Sequence, residues 1–367
     1  MAKKSTRSTH ASGTFTSDEQ ELILTDLLSL KKTQIGVFLE RCRLSKSGTK
    51  DQIRMRLDEA LVDESILLSQ VVEFLDEVIP WGKQHVCLYT GPKTSITNWR
   101  KPIWLGAHLK KHRVGKYLNA SLPLVLPEKM KISSILHNER RLRVTAIKRR
   151  DWWERNPEYD RSDATVAGDD IELRAYVHRV TRSLVAFEWD LIANNAILQI
   201  SQLPRRFDYT KVAEEFFNLI APWLDASRFS LVEMRATIKK LHELEEDRRG
   251  ETRSHSINYR TTQGRRFEGK SASPDDPLLG DAVIDAAMGA VRSKSVGHLG
   301  NFYWLPTNGK NTKGNPLEDE VHVIVVGSHN RVNFPTPNAE ETIRYVLSRI
   351  RSHSTVSYTH LTLPTNR

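Results

Sequence analysis

The turn Ser45-Lys46-Ser47-Gly48-Thr49-Lys50 gathers ammonium groups, hydroxyls and a glycine where a helix is about to begin. Thr49 followed three residues later by Gln52 is a capping box, in which each side chain satisfies a backbone N–H that the first helical turn leaves unpaired. The helix macrodipole is already positive at that end, so cations such as Lys46 and Lys50 are disfavoured there by roughly 0.3–1 kcal/mol. A phosphate would reverse the sign of that effect. It would satisfy both lysines and the free amides of the first turn, because helix N-termini are ready-made anion sites.

Two short helices are expected to position this turn. Ile35, Phe38, Leu39 and Cys42 recur at i, i+3, i+4 and i+7 and form one apolar face, and Leu44 then seats the turn. Ile53, Leu57 and Leu61 lie along a second stripe that can close onto the first. Gly36 inside the first helix costs about 1 kcal/mol relative to Ala. The pattern Leu30, Ile35, Leu39, Leu44, Ser47-Gly48-Thr49-Lys50, Ile53, Arg56-Leu57 resembles the SAP domain, a helix-extended-helix module that binds nucleic acid. The resemblance covers residues 30–61 only. It implies that Ser47, Gly48, Thr49 and Lys50 meet a nucleic-acid backbone, with Lys46 and Arg54 nearby and Arg43 and Arg56 as further contacts. Arg43 departs from the family pattern, which usually places Gly there in a left-handed helix cap. The competing reading is an ordinary helical hairpin with solvated lysines.

Composition points the same way without proving it. The chain has 367 residues, 39% of them hydrophobic, enough for a real core and for about two or three domains. A net charge of +10 favours a polyanionic partner, nucleic acid before an acidic membrane surface. Cys42 and Cys87 are the only cysteines, so neither a disulfide framework nor a thiolate zinc site is expected, and an intracellular location follows: cytoplasm or nucleoid in a prokaryote, nucleus in a eukaryote. No run of eighteen apolar residues and no secretory signal is present, so no membrane partner is expected.

The fold class expected is α+β: a small helical module followed by antiparallel strands packed with helices. Residues 1–17 read as a basic disordered arm and 18–79 as the helical module. The module includes an acidic amphipathic helix around Ile66–Leu75 that Pro80 ends. Residues 80–244 read as a mixed domain. Between Val78 and Pro127 no acid occurs, and Lys83, Lys93, Arg100, Lys101, Lys110, Lys111, Arg113 and Lys116 are interleaved with Trp81, Tyr89, Trp99, Trp104 and Tyr117. That mixture suits either base stacking or a plain core, and its Gly and Pro spacing predicts short strands and loops. Strands are expected at Leu142–Ile147, Ile171–Val177, Leu184–Trp189 and Ala193–Ile200, with Thr181-Arg182-Ser183 as a connection. Helices are expected at Thr210–Leu224 and Ser230–Leu244. Residues 245–276, with Arg260, Arg265, Arg266 and Lys270, read as a mobile basic linker. Residues 277–355 read as a helix, a hairpin around Gly327–Asn330 and a last helix. Val356–Thr365 resembles a translated sequencing-library adapter, so 356–367 is set aside as a non-native tail and the natural carboxyl terminus is expected to be missing.

Enzymatic motifs give little. Phosphate-binding and dinucleotide glycine loops and the serine elbow are absent. His108 and His112 stand four apart but lack a third ligand, so they read as part of the basic patch. Asp160, Asp163, Asp169, Asp170 and Glu172 invite a magnesium-nuclease reading, with Glu188 and Asp190 as a second pair, but solvated loop acids explain the cluster better. No catalytic residue, metal or cofactor is assigned. The expected function is DNA binding, with RNA as a second possibility, through backbone contacts of low sequence preference by an adaptor or a chromatin- or nucleoid-associated factor. The alternatives are a nucleic-acid-processing enzyme that uses the module for targeting, and a protein-interaction scaffold.

Overall fold

The helical module is built from four helices, one more than the three its periodicity predicts. The computed structural model describes residues 17–93, 96–120, 126–166, 169–204, 207–246, 251–306 and 315–354; the arm before Ser17 and the tail after Ser354 lie outside these. Helices α1 (Ser17–Ser29), α2 (Lys32–Arg41), α3 (Lys50–Val62) and α4 (Leu68–Val78) share one core. Leu24 and Leu27 meet Ile35, Phe38, Leu39, Ile53, Leu57 and Phe74 there. The α2 and α3 stripes close together as their spacing predicts, but α1 and α4 are needed to cover them.

Arg43 takes the left-handed conformation that glycine usually supplies, with φ 58°. The Leu44 amide donates to the Leu39 carbonyl at 2.7 Å and the Arg43 amide to that of Glu40 at 3.0 Å. These two bonds are a Schellman cap. A residue with a Cβ pays about 1–2 kcal/mol for that conformation, so Arg43→Gly is expected to raise stability by about 1 kcal/mol in urea unfolding. A loss of stability would show that the arginine side chain itself holds the cap.

The rest of the chain forms one antiparallel sheet with helices on both faces, an α+β architecture. In chain order the next elements are β1 (Gln84–Thr90), α5 (Pro102–Lys111), β2 (Lys131–Asn138), β3 (Arg141–Arg155), β4 (Arg161–Val166), β5 (Asp169–Leu173), β6 (Tyr176–Asp190) and β7 (Asn195–Ser201). There follow α6 (Tyr209–Ile220), β8 (Ser230–Leu231), α7 (Arg235–Glu246), β9 (Thr252–Thr261), β10 (Arg266–Lys270) and α8 (Ala282–Ser293). The last are β11 (Ser295–Trp304), β12 (Val321–Val326), β13 (Arg331–Phe334) and α9 (Glu340–Ser352). The strand order is β10-β9-β11-β12-β13-β1-β7-β6-β3-β2, with β8 added beside β1 and β4-β5 a separate pair.

Side chains alternate across β1, so one strand serves two cores. Val86 and Leu88 pack with Ile238 and Leu241 of α7 and Ile343, Val346 and Ile350 of α9. Tyr89, on the other face, packs with Leu105 and Leu109 of α5 and Phe216 and Phe217 of α6. The division at residues 245–276 is therefore not structural, because β1 pairs with β13 on one side and β7 on the other. No helix among the described residues is long and apolar enough to cross a membrane.

Three local readings need correction. The stretch 245–276 holds β9 and β10 instead of a linker. Buried Ser254, Ser256 and Asn258 interrupt the apolar alternation of β9, and β10 is an edge strand whose charges discourage further pairing. Thr181-Arg182-Ser183 is no turn: it lies within β6 and pairs with Lys148-Arg149-Arg150 of β3. The segment between Val78 and Pro127, read as short strands and loops, contains the ten-residue helix α5.

Candidate nucleic-acid interface

The capping box forms as its residues require. The Thr49 hydroxyl accepts from the Gln52 amide at 3.3 Å, and the Gln52 side chain accepts from the Thr49 amide at 2.8 Å. Gly48 sits at φ +104°, and a Cβ there would meet the Gln52 Oε1 atom at 2.6 Å. Glycine is therefore required by both backbone and space. The Arg56 guanidinium donates to the carbonyls of Ser45 and Ser47 and braces the turn from beneath.

The cations divide into two groups. Lys50 does not face outward to an anion: its Nζ donates to the carbonyls of Leu28 at 2.5 Å and Leu30 at 2.9 Å, at the end of α1. The negative end of that helix answers the charge that the start of α3 disfavours. Arg54 reaches Glu21 of α1 with both terminal nitrogens and Asp58 with Nε at 2.9 Å. Its hydrogen bond holds the Glu21 carboxyl below the usual range. Lys50, Arg54 and Arg56 thus shape the module instead of presenting charge.

Arg43 and Lys46 remain outward. Lys46 pairs with Glu40 at 3.0 Å, yet the two side chains are 55% and 68% exposed. Such a surface pair is worth about 0–1 kcal/mol and exchanges readily for a stronger anion. Arg43 is exposed, and its side chain makes no hydrogen bond or ion pair among the described residues. Ser47 and Thr49 are exposed beside them, and the amides of Lys50 and Asp51 are among those an α-helix leaves without an internal acceptor.

Helix α5 repeats one feature. Arg113, just past its end, is exposed at φ 60°, with its amide on the Lys110 carbonyl and the Val114 amide on that of Leu109, both at 3.0 Å. Lys101, Lys110, Lys111 and Lys116 are exposed around it. The aromatics of this stretch turn inward: Trp99 packs edge-on against Trp104 and lies 5.5 Å from Trp189. His108 stacks on Trp104 and bonds the Trp223 carbonyl at 2.8 Å. They are core, leaving the cations on the surface.

The carboxylates read as nuclease candidates are held elsewhere. Asp160 pairs with Arg155, and Glu172 with Arg174 at 3.2 Å; the side chains of Asp163, Asp169 and Asp170 lie outside the described residues. Asp190 accepts from the amides of Ile192 and Ala193 and shapes a turn. Glu188 is buried among Arg143 at 2.9 Å, Arg344 at 2.7 Å and Arg141 at 3.5 Å. Burial alone would raise its pKa, but the Arg344 hydrogen bonds and the three guanidinium charges outweigh that and hold it below the usual range. Arg143 and Arg344 also lie over the Trp81 ring. Among the described residues no group of three His, Cys, Asp or Glu is placed to hold a metal. No protein-family model matches the chain, and no curated protein matches it.

Proposed function

We propose that the chain binds nucleic acid, DNA foremost, through a SAP-type helical module that contacts the phosphate backbone with low sequence preference. The observation that carries this reading is Arg43. It occupies a left-handed position at a cost of about 1–2 kcal/mol, of which its charge at a helix C-terminus returns only about 0.3–1 kcal/mol. The two cap hydrogen bonds repay the backbone, while the side chain itself has no hydrogen bond or ion pair among the described residues. The conformation closes the α2 cap and leaves the guanidinium exposed three residues before Lys46, where it and the open amides of the α3 N-terminus suit a phosphate. Arg113 stands in the same relation to α5 and supplies a second basic corner. Backbone contacts of this kind position a protein without reading bases.

The test is retention of labelled duplex DNA, single-stranded DNA and RNA at low salt, with and without magnesium. Retention without cleavage is expected, duplex before RNA. Absence of retention at low salt would remove the reading, and magnesium-dependent cleavage would replace it with an enzymatic one.

A further inference from the structure

A cavity of about 180 Å³ opens between β1 and α6. A cavity of about 150 Å³ is enough to hold benzene, so one substituted ring fits. Tyr89 from β1 and Ala213 and Phe217 from α6 give it an apolar body.

One end is charged and unsatisfied. The Arg331 guanidinium, on β13, lies 4.8 Å over the Tyr209 ring and makes no hydrogen bond or ion pair among the described residues. Its Nε is shut off from water without an acceptor, as is Nδ1 of His85, whose ring lies 3.9 Å from Tyr209. A buried donor left unmade costs about 1–3 kcal/mol, more when charged. The terminal nitrogens of a guanidinium held over a ring and without an internal carboxylate remain as donors for a planar acceptor, which is what a carboxylate offers. His85 is held neutral, its pKa pushed down to about 4 by burial and then by Arg331, so it places no second positive charge on the wall. Of the two acids on the wall, Asp225 is committed to Ser227 and Arg228, whereas Glu214 remains to repel a second negative charge.

We infer that this cavity binds a small aromatic monocarboxylate, its ring between β1 and α6 and its carboxylate on Arg331. This site is independent of the nucleic-acid reading. The probes are benzoate, neutral benzyl alcohol and cationic benzylamine, each titrated into the full chain while the methyl NMR signals of Ile200 and Leu231, on the cavity wall, are followed. Benzoate is expected to bind at least tenfold tighter than benzyl alcohol. Arg331→Gln is expected to weaken benzoate at least tenfold while leaving benzyl alcohol within twofold, which also shows that the cavity is intact. Ala213→Leu, filling the space, should abolish both. Benzoate no tighter than benzyl alcohol, benzylamine tightest, indifference of benzoate to Arg331→Gln, or no binding of any probe would each overturn the assignment.

Discussion

Replacing Arg43 and Lys46 together by glutamate is expected to lower duplex affinity at least about a hundredfold, because two charge-assisted contacts are each worth about 1.5–3 kcal/mol. Stability should change little. Lys46 gives up only an exposed pair with Glu40, and the Arg43 side chain has no hydrogen bond or ion pair among the described residues to lose. Arg43→Gly sharpens the result, since a contact role and a structural role move it in opposite directions: the fold gains stability while binding weakens. The equivalent change at Lys50 is uninformative. Lys50→Glu would set a carboxylate against the carbonyls of Leu28 and Leu30, and loss of binding would follow from loss of the module. Affinity by fluorescence anisotropy and unfolding midpoints in urea, measured on the same variants, separate these cases. Unchanged affinity in the double glutamate variant would remove the turn from the interface.

The largest stability effect is expected at Glu188. Glu188→Gln keeps the shape but leaves Arg143 and Arg344 without their shared carboxylate, and Arg143 is itself buried. Breaking a buried pair from one side costs about 3–5 kcal/mol. The pH dependence has a definite sign. The folded-state pKa of Glu188 lies below the ordinary glutamate value of 4.5, so its contribution is fully present above that value and is lost as pH falls through the folded pKa. Wild type should therefore lose part of its advantage over Glu188→Gln in acid. Urea midpoints at neutral pH and at successive pH values below 4.5 check both points; a loss under about 1 kcal/mol at pH 7 would show that Glu188 is not the keystone of this cluster.

Local signals were legible where the chemistry is local. The Thr49–Gln52 box, the stripes of α2 and α3 and the β12–β13 hairpin each depend on neighbours within a few residues, and they fold as their spacing implies. The mixed α+β class was readable for the same reason. The carbonyl partners of Lys50 were not legible because Leu28 and Leu30 belong to the end of a helix packed against it from earlier in the chain. The pairing of Arg54 with Glu21 was hidden for the same reason. Glu188 looked like an available carboxylate because Arg344 is far away in sequence and meets it only through the docking of α9. Strand β9 hid behind buried serines and an asparagine, whose burial the sheet compensates but periodicity cannot register. The Arg331 cavity had no sequence signal, since β1, α6 and β13 meet only through the sheet order.

The central claim concerns phosphates, and counterion release measures them. Duplex affinity should be followed across salt concentrations for wild type and for the Arg43→Glu, Lys46→Glu variant, where log K falls against log salt with a slope of about 0.9 per phosphate neutralised. The slope is expected to be shallower in the variant by about two phosphates' worth. Identical slopes, or wild-type affinity indifferent to salt, would contradict the account.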